Sequence, residues 1–187
     1  MQLDNAIAHR CSIREFSKKS VEWSKILEAI DSASKAPFAG NINNLIFVIV
    51  ENQNLKNAIT SCCQQDWIAE APFIVVICSN ESPLVRMYDE RGRIYSRQQA
   101  GAAIQNFLLK LIDLGLSGCW VGAYSDSTLR QNLKIPKEIN IEALIPVGYM
   151  AKTCRTKQAK KNSLDNLIRW NNWNTKKKPE TLGEPRE

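Results

Sequence analysis

Two arginines and a serine occupy alternate positions in Arg10-Cys11-Ser12-Ile13-Arg14. In an extended chain, side chains two apart point to one side, so residues 10, 12 and 14 present two guanidiniums and a hydroxyl together. That set suits a phosphate monoester, whose three acceptor oxygens and near-double charge match forked donors. Taken alone, two exposed arginines are more commonly solvated surface. Gly40-Asn41 reads as a turn, Gln64 as a polar residue ending a helix, and Gly122 as a bulge in a strand.

Other chemistry is excluded by what is missing. His9 is the single histidine, so a Ser-His-Asp or Cys-His device would have to use it, and no GxSxG turn exists to meet it. His9 reads as a helix-surface residue. Six cysteines at 11, 62, 63, 78, 119 and 154 make no CxxC pair, which argues against a zinc site. Cys62, Cys63 and Cys119 read as buried packing thiols. There is no GxxxxGK[ST], and the glycines of Gly115–Gly122 form no GxGxxG, so neither a P-loop nor a Rossmann site is supported.

The elements that must position these residues follow from periodicity. Residues 3–9 read as a short helix. Ser20 is the expected N-cap of a second, with Trp23, Ile26, Leu27, Ile30 and Ala33 at helical spacing and an end near Ala36, before Pro37. LIFVIV (45–50) and FIVVIC (73–78) read as strands buried on both faces, with a helix over 54–63 between them. The polar stretch 79–94 reads as a mobile loop. A long helix runs from Ser96 to Leu114, apolar over most of its girth, and ends at Gly115. A strand over 119–124, a helix over 128–133 capped by Asp126 or Ser127, and a strand over 142–150 complete the body. Trp23, Trp67 and Trp120 are assigned to the core. Helices between buried strands predict an α+β (α/β) sandwich.

Arg10-x-Ser12-x-Arg14-x-Phe16 resembles the opening signature of the nitroreductase family of FMN flavoproteins. Four later blocks resemble that family in the same order: APFAGNINN at 36–44, DWIAEAPFIVVI at 66–77, AGAAIQNFLLKLIDLGLSGCWVGAY at 100–124 and LIPVGYM at 144–150. The resemblance spans residues 6–173. It implies a central mixed sheet flanked by helices, in a homodimer with exchanged C-terminal tails. It implies FMN held by Arg10, Cys11, Ser12 and Arg14, with Arg14 also near flavin N1. Pro37, Phe38, Ala39 and Asn41 would meet the flavin from the partner subunit, Gln64 its polar edge, and Val121 and Gly122 its ring. The Gly122 backbone N–H would lie near N5, and Lys161 would reach the phosphate from the tail. No residue is assigned as catalytic, because the flavin carries the chemistry.

By the same resemblance, NADH or NADPH is the electron donor and a nitroaromatic, quinone or flavin the small-molecule acceptor. Flavin-binding carriers or sensors without turnover share the same contacts. The chain departs from the family at Phe38 and at Asn43-Asn44-Leu45, which bears on the substrate pocket more than on flavin binding.

The 187 residues, 44% hydrophobic, suit one domain with its own core. Residues 1–173 are expected to form it, with 151–173 packing on a partner and 174–187 disordered. Lys and Arg balance Asp and Glu at 15 each over 1–151, while 152–187 holds 10 against 4 and so carries the whole net +6. A neutral body without a helix-turn-helix, zinc-finger or RNP pattern argues against a nucleic-acid module. No run of 18 apolar residues occurs. The opening MQLDNAIAHRCSIREF lacks the apolar core of a secretory signal, so a cytoplasmic location with reduced thiols is expected.

Overall fold

A strand apolar at every position requires cover on both faces, and this condition separates two strands that look alike in sequence. β1 (Leu45–Val50) is mostly partly buried, with Ile46 and Ile49 in solvent and Val50 buried, whereas β2 (Phe73–Ser79) is buried throughout. In the computed structural model, which describes residues 1–156 and 163–178, the sheet order is β1-β2-β4-β3, with β3 (Ser117–Gly118) and β4 (Asn140–Gly148). β1 lies at the edge with one strand beside it. Edge placement, not composition, leaves it half covered.

The side chains of β2 alternate between two cores, as pleating demands. Phe73, Val75 and Ile77 join Ile26, Ala29 and Ala33 of α2 (Trp23–Ala33) and Ala103, Ile104, Phe107 and Leu111 of α5 (Glu90–Asp113). Ile74, Val76 and Cys78 join Ile59 and Cys62 of α3 (Gln53–Cys63) and Leu129 of α6 (Asp126–Leu133). The sheet is therefore sandwiched between two helical layers, the α+β architecture expected. Each of the three strand pairs is antiparallel. Parallel pairing, expected of a mixed sheet, is confined to an isolated bridge between Ser12 and Gly118.

Several local expectations shift. Helix α1 (Leu3–His9) stands as read, with His9 exposed. The N-cap of α2 is Glu22 rather than Ser20, and the helix stops at Ala33, leaving a turn before Pro37. The stretch expected to be a mobile loop is helical: α4 (Ser82–Tyr88) carries Pro83 in its first turn, and Asp89, at φ 51°, kinks the chain into α5. A Cβ on Gly92 would stand 2.3 Å from the Leu84 carbonyl oxygen, so the two helices touch where only glycine fits. Strand pairing expected over 119–124 reduces to a single bridge between Val121 and Leu144, and the short β3 lies just before that stretch. Helix α6 begins at Asp126, with Ser125 as its N-cap. Trp67 is half-buried, but Trp23 and Trp120 are exposed, at 66% and 43%. Helical spacing places Trp23 at the rim of the buried stripe, outside it.

The chain divides into two units, 1–156 and 157–187. The described part of the second holds one helical turn, α7 (Leu164–Leu167), and a turn closed by the Trp170 N–H donating to the Thr175 carbonyl, 2.7 Å. Leu164, Leu167 and Trp173 are exposed. Of the stretch 174–187 expected to be disordered, Asn174 and Thr175 belong to that turn. Residues 179–187, expected to be disordered, and Lys161 lie outside the described residues.

Candidate functional site

Backbone pairing fixes the arginine segment. Ser12 bridges Gly118, and the Ile13 N–H donates to the Gly118 carbonyl at 3.2 Å. Ile13 is buried and Phe16 nearly so, both against Ala71. The close fit depends on Gly118: a Cβ there would meet Ile145 Cγ2 at 3.0 Å and the Pro146 carbonyl oxygen at 3.1 Å. With Ile13 and Phe16 buried as anchors, Ser12 and Arg14 are left exposed and Arg10 half-buried.

These side chains gather beside Cys119. Burial pushes the Cys119 thiol up, while Arg14, the Ser12 hydroxyl and Arg10 pull it part of the way back. Arg14 also lies 5.9 Å above the Trp67 ring, a cation–π placement that holds the guanidinium without neutralising it. Among the described residues, neither Arg10 nor Arg14 has a carboxylate partner. The segment is thus an unneutralised cationic edge, suited to an anion.

Gln64 and Gly122 fall on the neighbouring turns. Gln64 is the left-handed C-cap of α3 at φ 53°, exposed, and the carbonyl of Cys62 accepts from the Ser125 N–H at 2.9 Å. Val121 exchanges both backbone hydrogen bonds with Leu144, 2.9 and 3.0 Å. Gly122 is exposed, and a Cβ added there would find no atom within 4 Å. No protein contact requires glycine there, so the space beside it is open.

The loop with Pro37, Phe38, Ala39 and Asn41 is held at another level of the same helix. Gln99 of α5 accepts from the Ala39 N–H at 3.1 Å and donates to the Ile42 carbonyl at 3.1 Å and to Asn44 Oδ1 at 2.6 Å. Asn44 donates to Ser96 Oγ at 2.7 Å, Ser96 to Ser79 at 3.3 Å, and Ser79 to Glu142 at 2.5 Å. Asn44, Gln99, Ser96 and Ser79 are all buried. Gly40 and Asn41 both sit at φ 57°. A cavity of about 190 Å3 lies beside this loop, lined by Pro37, Ala39, Tyr95, Gln98, Gln99 and Ala102.

Gln99 stands twelve residues before Leu111, which packs beneath Gly118, so the two anchor points lie about 18 Å apart along α5 at 1.5 Å per residue. Within one chain the structure brings Arg10, Ser12 and Arg14 together and keeps the loop residues separate. Sequence reasoning missed Gln99 and Asn44 as anchors and Trp67 as a platform, because each acts across more than fifty residues of chain. A larger cavity of about 510 Å3, lined by Trp23, Leu27, Asp31 and Lys110 among others, involves none of these groups.

An antiparallel sheet between two helical layers, with a cationic segment bridged to β3 and a loop hung from its longest helix, defines an α+β sandwich. The nitroreductase family model matches residues 7–63 and 56–149, and the chain belongs to that family. It is similar to an iodotyrosine deiodinase of Thermotoga neapolitana, 26% identical over 164 residues, covering 75% of this chain and 84% of the relative. It is also similar to a Methanothermobacter thermautotrophicus protein provisionally named NADH dehydrogenase/NAD(P)H nitroreductase, 26% identical over 175 residues, covering 91% and 88%. In fold it resembles an oxidized iodotyrosine deiodinase bound to FMN and 3-iodo-L-tyrosine, with a TM-score of 0.75 at 21% identity, covering 92% of this chain and 100% of that one.

Proposed function

We propose that the protein is an FMN-dependent oxidoreductase that draws electrons from NADH or NADPH. The carrying observation is the convergence of Arg10, Ser12 and Arg14 beside Cys119 with no carboxylate partner among the described residues. The donor set fits a phosphate monoester, and the open space at Gly122 fits the approach of a flat ring. Arg10 and Ser12, with Cys11 between them, would hold the phosphate and ribityl chain. Arg14, fixed over Trp67, would hold positive charge at the pyrimidine edge, where it favours the anionic reduced form. Gln64 would offer its amide to that edge, and the Gly122 N–H would face N5.

The chemistry such a group supplies when bound is hydride transfer from the nicotinamide to a nitroaromatic, quinone or flavin acceptor. The chain's own task is to bind, orient and exclude water, which needs no dedicated acid or base. Pro37, Phe38, Ala39 and Asn41, carried by a second copy, would close the site, making the active unit a homodimer with exchanged tails in which Lys161 also reaches the phosphate. The deiodinase relative favours a second reading, in which a halogenated phenol is the acceptor.

A visible spectrum of the purified protein tests the proposal. A flavin band that bleaches with NADH or NADPH, and returns with a nitroaromatic or quinone, is the expected result. Colourless protein that ignores added FMN overturns it. A band that bleaches only with chemical reductant, and returns with iodotyrosine, selects the second reading.

A further inference from the structure

Four of the six cysteines are buried: Cys62, Cys63, Cys78 and Cys119. Cys11 and Cys154 are the two that solvent reaches, and they stand on one patch, both packed with Trp67 against Ile13, Phe16 and Ala71. The approach is built by backbone. Phe16 bridges Met150 in antiparallel fashion, the Ala151 N–H donates to the Glu15 carbonyl at 3.0 Å, and Thr153 Oγ1 donates to Glu15 at 3.2 Å. The Cys154 N–H then closes a turn onto the Ala151 carbonyl at 3.1 Å, which returns residue 154 toward the segment that carries Cys11.

We propose that Cys11 and Cys154 form an oxidant-dependent disulfide, with a hydroperoxide as the oxidant. Hydrogen peroxide turns one thiol into a sulfenic acid and releases one water. The sulfur of the other thiol attacks it, forms the S–S bond and expels the second water. Two thiols thereby lose two electrons and two protons, and peroxide accepts both. Selectivity follows from access. Burial holds the Cys63 and Cys78 thiols up at about 11, where the reactive thiolate is scarce. Burial also pushes Cys11 up, and the neighbouring Cys154 thiol adds to that push, while Arg10 beside it pulls the other way.

The bond would tie the arginine segment, from the side opposite Arg10, Ser12 and Arg14, to a residue near the end of the first unit. Any effect on flavin rests on the function proposed above; the bond itself does not.

Full-length protein treated with hydrogen peroxide or with dithiothreitol, then digested without reduction, provides the test. The oxidised sample should yield a peptide joining residues 11 and 154, two hydrogens lighter than its parts, and lacking in Cys11→Ser and Cys154→Ser. Its urea midpoint should rise above that of the reduced sample, because the bond closes most of the chain into a loop, and Cys11→Ser should abolish the rise. Separate oxidation of both thiols to sulfinic acid, or a link found only between two chains, overturns the proposal. A linked peptide in a protein that never binds FMN would uphold the pair and defeat the flavin reading.

Discussion

The arginine segment and the loop at 36–44 both belong to the candidate site, yet they are held by opposite means. Backbone hydrogen bonds and the buried side chains of Ile13 and Phe16 pin the first, so Arg10, Ser12 and Arg14 contribute little to the fold and stay free for a ligand. Buried side-chain amides pin the second, so Gln99 and Asn44 carry structure by binding the loop backbone and each other. Ligand binding and stability are thus separable in one region and entangled in the other.

The largest effect should come from breaking the link between the two regions across subunits. A chain ending at Thr153 should turn a dimer into a monomer and lose FMN, as light scattering and absorbance would record together. Full-length protein that is monomeric at micromolar concentration yet holds FMN would break the two-subunit arrangement.

Arg10→Ala and Arg14→Ala should each weaken FMN by about ten- to a hundred-fold, since a hydrogen bond to a charged group contributes roughly 1.5–3 kcal/mol. Their urea midpoints should stay near that of the parent, and Lys178→Ala should leave FMN titrations unchanged. A marked stability loss in Arg14→Ala would erase the contrast between the regions.

Gln99→Leu should do the reverse. It strands Asn44 and the Ala39 N–H in a buried place, costing about 2–3 kcal/mol of unfolding free energy, and FMN should weaken only as the loop loosens. Urea unfolding followed by circular dichroism checks this. An unchanged midpoint would show that the amide network does not anchor the loop.

The smallest effect lies at Tyr124, which packs in the same cluster as Cys119 and Val121. Burial pushes the Tyr124 hydroxyl up to about 12, and its O–H donates to the Ile141 carbonyl at 2.9 Å. A folded pKa above the unfolded value of about 10 gives stability that is complete below pH 10 and lost as pH rises from 10 through about 12, because the unfolded phenol ionises first. Tyr124→Phe should flatten that alkaline limb without altering FMN binding at neutral pH. An alkaline limb as steep as the parent's would remove Tyr124 as its cause.

Much of the fold was legible from local pattern. β2, β4, α3 and α5 come from runs of apolar residues whose period and length admit one reading, and Gly115, at φ 73°, marks the end of α5 as its type suggests. The stretch 79–94 was misread because its residues are polar. Its helices are set by Pro83 in a first turn and by Gly92 meeting Leu84, and neither shows in periodicity. The unbroken apolar run LIFVIV could not reveal that β1 is an edge.

The sequence by itself determined the cationic segment, the central helix and the family, since residue type and spacing carry charge and period without reference to the rest of the chain. Tertiary structure alone decided that Cys119 and Trp67 flank the arginines, that Gln99 and Asn44 hang the loop, and that Cys11 and Cys154 share one patch. Those are contacts between residues distant in the chain. Only packing brings such groups within hydrogen-bonding or van der Waals reach, so no local pattern encodes them.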